Sequence, residues 1–375
     1  MADPQAGKGG TYYVPFPVLA LASNGGQIFL SAGGGGSTSN KEVPNVVHAQ
    51  RYDEATGKLN TVAALNTGKS LVVHISYSPK TNLWLASSRN GCKILSLSIE
   101  ENTITELCEW ATEEAGKEPE QNVARYSPDG SMIATGGTDG QVIVWKAEKP
   151  PAVPVLQRKC GTKAREILDV DFSPDNKFVA ACDDAGNCRV WELAKEEPED
   201  GTVITYSSSA VKGKVFIKLC RFWPDASGKT TLLLGANGAR GPALVGLFST
   251  DGTKLKEVNL DKQPIKSLAL DVDGGRIVVG LMSGAKSVCS CPGLSCIKKT
   301  KELHSLPAQS VAFLGEATAI SGSGDRDLHL LNFQGGSGSV LCYLLVLLLG
   351  LMVVAAMVLR IGVKGASLGQ GRLEM

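Results

Sequence analysis

Few residues in this 375-residue chain are arranged to do chemistry. Four consecutive glycines, Gly33 to Gly36 in SAGGGG, suggest a phosphate cradle, because the N–H groups of a Gly-rich loop can surround an anion. The full pattern GxxxxGK[ST] is absent and no helix start follows, so a P-loop is rejected. Ten cysteines lie at 92, 108, 160, 182, 188, 220, 289, 291, 296 and 342, and none forms a CxxC pair. Cys289, Cys291 and Cys296 cluster, but no second ligand pair sits at zinc-like spacing. His48, His74, His304 and His329 have no recognisable partner motif, which argues against a hydrolase needing a nucleophile, a base and an orienter. The glycines therefore pose a question of backbone shape. Gly loses the most freedom on folding, so such a run is either a floppy loop or a backbone taking shapes other residues disfavour.

The elements that must position this run come from a repeat. YSPKTNLWLASSRNGCKILSLS begins at Tyr77, YSPDGSMIATGGTDGQVIVWKA at Tyr126 and FSPDNKFVAACDDAGNCRVWEL at Phe172. Their prolines, Pro79, Pro128 and Pro174, are 49 and 46 residues apart. Each unit reads as strand, SPDG-type turn, strand, a second turn with Asp or Gly, and a strand ending near Trp. Weaker copies start at Phe222, Ala269 and Val311, and the opening segment from Phe16 makes a seventh. This period and these VxVW endings resemble the WD-repeat family, in which each unit is a four-stranded blade of a β-propeller. The predicted fold is all-β: a seven-bladed propeller over 1–334, with Tyr12 to Pro17 pairing with the last blade so that no edge is left open. Trp145 and Trp191 read as blade packing. Asp139, Asp183 and Asp325 read as acceptors for turn amides, not as a catalytic carboxylate pair.

Composition agrees with a large core: 43% of residues are apolar and 20% charged. A formal net charge of +1 gives no global field toward nucleic acid, and Lys298, Lys299 and Lys301 read as solvated loop. Scattered cysteines on strand positions fit small hydrophobes in a reducing compartment. Val340 to Leu359 is twenty residues without a charge, about 30 Å as a helix, and is predicted to span a membrane. GGSGS at 335–339 reads as a tether and 360–375 as a short tail. Arg360, Lys364 and Arg372 after the span would by the positive-inside rule hold that tail in the cytosol. The N-terminus has no basic n-region followed by an apolar h-region, so no secretory signal is read there. That consideration is given precedence: the expected topology is a tail anchor with the propeller cytosolic and the tail luminal.

YVPFP at 13–17, SAGGGG at 31–36 and VPN at 43–45 together resemble the first blade of one family. It comprises the endoplasmic-reticulum guanine nucleotide exchange factors for Sar-type small GTPases, the prolactin regulatory element-binding protein family. The resemblance implies a cytosolic seven-bladed propeller on one C-terminal transmembrane helix in the ER membrane. It implies exchange of GDP for GTP without covalent chemistry, starting COPII coat assembly for ER-to-Golgi transport. No nucleic acid or small-molecule substrate is expected. By the same resemblance Asn45 is the catalytic asparagine, inserted toward the GTPase nucleotide site. Gly33, Gly34, Gly35, Gly36, Ser37, Asn40, Glu42, Val43 and Pro44 form the GTPase-contacting loop. A potassium ion is implied on the backbone carbonyls of Gly33, Gly34, Gly35, Gly36 and Val43. Two departures stand out: Glu42 replaces a usual Gly before the VPN end, and STSNKE is about one residue longer than usual. A tail-anchored WD-repeat scaffold without exchange activity is the alternative, since repeats and anchor serve it equally well.

Overall fold

Period-two strands with one apolar face must stack that face on a neighbour. A computed structural model describes residues 3–333 other than 8, 39–41, 89–90, 113–119, 149–153, 161–164, 196–200, 225–229, 240, 272 and 274. In it the repeats form seven antiparallel sheets, six of four strands and one of five. Blade one runs Val18–Ser23, Ile28–Gly33, Asn45–Asp53 and Lys58–Gly68. Blades two to six occupy 72–110, 121–159, 167–204, 215–261 and 265–299.

The ring closes as expected, over a shorter segment than Tyr12 to Pro17. Thr11–Tyr13 pairs with Asp327–Asn332, with Thr11 opposite His329 and Tyr13 opposite Asp327. Gln5–Ala6 adds a fifth strand outside it. The remainder of the YVPFP stretch turns away into blade one, burying Val14 and Phe16 with Val46, Leu314 and Leu328. The first strands of successive blades contact one another, and that of the last contacts that of the first. They enclose a central cavity of about 470 Å³.

The core lies between blades. Val123, Ala134 and Val144 of blade three pack with Ile167, Val170 and Trp191 of blade four. Trp145 and Trp191 are buried, and Trp145 Nε1 donates to Thr135 Oγ1 at 3.0 Å, so both are packing residues as read. The three aspartates also behave as read. Asp139 accepts from the Gln141 amide at 3.0 Å, Asp183 from that of Asn187 at 3.0 Å, and Asp325 from that of Ser305 at 2.8 Å. The nine described cysteines form no disulfide with one another. Among the described residues no helix is long and apolar enough to cross a membrane. The span predicted at 340–359, the tether and the tail lie outside the described residues.

Candidate functional site

The glycine run ends the second strand of blade one. Gly33 pairs with Val46 across the sheet, and residues 34–44 form the connection to the third strand. Two glycines answer the sequence question through close approach. A Cβ on Gly33 would lie 1.9 Å from Pro17 O, and one on Gly34 would lie 2.4 Å from Pro44 O and 2.6 Å from Asn45 Oδ1. Gly34 also sits at φ +140, where side chains are strained. Its amide donates to Pro17 O at 3.2 Å. The YVPFP segment therefore braces the loop from beside it. Phe16 is itself fixed edge-on to His48, ring centroids 4.8 Å apart. Burial lowers the His48 pKa to about 4, so the imidazole packs as a neutral ring.

Asn45 closes the loop. Its Oδ1 accepts from the Gly36 amide at 2.8 Å, and its Nδ2 donates to Gly36 O and Gly68 O, each at 3.1 Å. A single side-chain amide thus ties the loop to the outer strand of its own blade. It can do this because it both donates and accepts. Asn45 is fully buried (0% exposed). The residue matched to a partner-facing asparagine therefore sits at the base of the loop with its amide engaged inside the protein. Beyond it, Gly36–Thr38 makes one 3₁₀ turn, with Thr38 N and Oγ1 donating to Gly35 O at 3.2 and 2.7 Å. Ser37, Thr38 and Glu42 are exposed, while Gly35, Gly36, Val43 and Pro44 are half-buried. Asn40 lies outside the described residues.

The carbonyls matched to a potassium site are partly committed. Gly35 O accepts from Thr38 and Gly36 O from Asn45. Each carbonyl keeps a second lone pair. The oxygen set therefore fits an ion only alongside the protein's own bonds, and the Asn45 amide already supplies part of the loop closure.

Two constellations were not legible in the sequence. His304 Nδ1 lies 3.2 Å from Asp325 Oδ1, and its Nε2 lies 2.8 Å from Ser321 Oγ. The partners resemble a Ser–His–Asp triad, yet Ser321 is 1% exposed and its oxygen also accepts from Lys286 Nζ at 2.9 Å. A sealed hydroxyl bonded to an ammonium or amine is no nucleophile for an external substrate. In the central cavity Asp169 binds both Arg221 and Arg125, and Asp171 accepts from the Phe222 amide at 2.8 Å. This bonding holds three blades together. The sequence cluster Cys289, Cys291 and Cys296, by contrast, does not converge into a ligand group among the described residues.

The family model for the WD domain, G-beta repeat, matches residues 121–146 and 155–192, within blades three and four. SEC12-like protein 1 of Arabidopsis thaliana is 28% identical over 280 residues, covering 72% of this chain and 66% of that protein. The chain thus spans just under two thirds of that relative's length. SEC12-like protein 2 of the same plant is 25% identical, covering 78% and 70% of the two chains. Guanine nucleotide-exchange factor SEC12 of Rattus norvegicus is 23% identical over 358 residues, covering 81% and 83%. The matches extend well beyond the two blades that carry the repeat signature, so over most of its length the chain is similar to the SEC12 and SEC12-like proteins.

Proposed function

We propose that this chain is a guanine nucleotide exchange factor for a Sar-type small GTPase, acting at the ER membrane to start COPII coat assembly. The observation that carries the reading is the braced first-blade loop, a strand connection in which glycines, a neighbouring proline and a buried amide hold exposed residues. A preordered tip loses little entropy on docking. Exchange needs no bond made or broken in the factor. The tip has only to compete with the GTPase for contacts that retain GDP. Ser37, Thr38 and Glu42 offer hydroxyls and a carboxylate for that competition. Asn45 is the residue on which exchange depends, and with its amide engaged inside the loop it acts by holding the tip in place.

A potassium ion on the loop carbonyls would add stiffness by binding oxygen ligands alongside the Asn45 amide. The apolar stretch 340–359 serves in this reading as the anchor that confines exchange to one membrane. The competing reading, a WD-repeat scaffold without exchange activity, draws on the same propeller and differs only at the loop.

The test is GDP release from a purified Sar-type GTPase with the full chain, in potassium and then in sodium buffer. Acceleration by the wild type, lost in Asn45→Ala, is expected. Weaker acceleration in sodium would assign the ion, and equal acceleration would remove the ion while keeping the function. No acceleration by a folded wild-type chain in either salt would leave the scaffold reading standing. Hydrogen exchange at Gly36 separates the roles of Asn45. A positioning role predicts faster exchange at that amide in Asn45→Ala, whereas a direct role predicts lost activity with the loop still ordered.

A further inference from the structure

Three buried thiols meet at the seam of blades four and five. Cys182 and Cys188 face each other across the strands Phe178–Asp183 and Cys188–Glu192, and Cys220 comes from the strand Val215–Pro224 of the next blade. Their three Sγ atoms all lie within 4.8 Å of one another. Each residue is 0% exposed. The Cys220 amide donates to Asp169 Oδ2 at 3.1 Å, which fixes its strand in register with blade four. We propose that Cys182, Cys188 and Cys220 form a three-sulfur site for a soft monovalent cation, Cu(I), which would staple the two blades together.

Sulfur donors select soft ions over Ca²⁺ or Mg²⁺. Metal–sulfur bonds of about 2.3 Å in a trigonal plane place the sulfurs about 4.0 Å apart, inside the 4.8 Å within which the three lie here. No fourth Cys, His, Asp or Glu joins the group among the described residues. That disfavours a tetrahedral structural zinc, which takes four protein ligands. The surroundings are apolar, with Ala180, Val190, Ile217 and Leu234 in the same cluster. Burial opposes ionisation of all three thiols, so each one that ligates as thiolate releases its proton on binding. The copper remains Cu(I) throughout.

The experiment uses the reduced full chain under anaerobic conditions, with Cu(I) offered in competition with a colorimetric Cu(I) chelator. The ion is supplied both at ambient temperature and just below the melting transition, so that slow entry into the seam is covered. The wild type should withhold one Cu(I) per chain, and so should Cys296→Ala. Cys188→Ala and Cys220→Ala should withhold none. Alanine is apolar and close to cysteine in size, so both variants keep the packing. Cu(I) should also raise the melting temperature of the wild type and leave that of Cys220→Ala unmoved. A wild type that withholds no copper overturns the proposal. So does equal retention by Cys188→Ala and Cys220→Ala, or loss in Cys296→Ala.

Discussion

The connection between the second and third strands is built one way in blade three and another in blade one. In blade three it is residues 138–140, closed by Asp139 accepting from the Gln141 amide at 3.0 Å and its Nε2 at 2.9 Å. In blade one it is residues 34–44, closed by Asn45 bonding Gly36 twice and Gly68 once. A carboxylate accepts only, so it caps a tight turn. An amide also donates, so it can hold a long connection to a second strand. On the proposed function, the same position in the blade serves stability in one case and display in the other. The two roles should separate under mutation.

The largest separation is expected from Asn45→Ala. It removes three hydrogen bonds at a fully buried site, about 2–4 kcal/mol of local stability. The rest of the ring is anchored by inter-blade packing, so the global melting transition should move much less than exchange at the Gly36 amide. Acceleration of GDP release should vanish. Gly34→Ala should give the same loss of activity, because its Cβ would press on Pro44 O and Asn45 Oδ1. Unaltered GDP release in both variants would remove the display role from blade one.

Blade seven offers a third version of the connection. Its Asp325 is tied to His304, and through Ser321 to Lys286, which is 1% exposed and also donates to His329 O at 2.6 Å. Burial lowers the Lys286 pKa to about 7 from an ordinary 10.5. The unfolded chain then binds the proton more strongly, so this group destabilises the fold at low pH and the penalty fades as pH rises from 7 toward 10.5. The buried histidines His48, His304 and His329, lowered to about 4, act the same way between about 4 and 6.5. Denaturant melts should therefore show stability climbing across both windows. Lys286→Met should raise stability at pH 7 by roughly 1–3 kcal/mol and abolish the rise between pH 7 and 9, while the acid-side rise should shrink only by the part that the Lys286 charge imposes on His304 and His329 and persist for His48. An undiminished alkaline rise in Lys286→Met would assign it to another group.

Asp139→Ala completes the comparison with a smaller effect. Loss of the turn cap should cost about 1 kcal/mol in global stability with GDP release unchanged. A loss of exchange activity here would mean that the blades are not independent supports.

The parts legible in sequence were those whose partners lie close along the chain. SPDG turns and Asp139 act within two residues, and so blades three and four were readable in outline. The ring followed from counting such units. The hydrogen bonds of Asn45 were not readable, because its partners stand 9 and 23 residues away and only the folded sheet brings Gly68 beside it. The thiols illustrate the same limit. Cys289, Cys291 and Cys296 are neighbours in sequence and do not form a ligand group, whereas Cys220 joins Cys182 and Cys188 only because adjacent blades stack. The His304–Asp325 pair spans 21 residues and two sides of a blade seam, so no short motif announced it.

The smallest effect belongs to the exposed end of the loop. Thr38 Oγ1 donates to Gly35 O at 2.7 Å beside the backbone bond from Thr38 N, so the hydroxyl reinforces a turn that already closes without it. In solvent such a bond is worth about 0.5 kcal/mol. Thr38→Val keeps the shape and removes only the donor. If the tip acts by its conformation, GDP release should slow by about two- to threefold, in line with that loss. If the hydroxyl itself competes for contacts in the GTPase, the drop should exceed tenfold while hydrogen exchange at Gly36 stays at the wild-type rate. The ratio of the two readouts therefore tells whether blade one displays a surface or supplies a reacting contact, a distinction that the Asn45 variants alone, which disturb both, do not make.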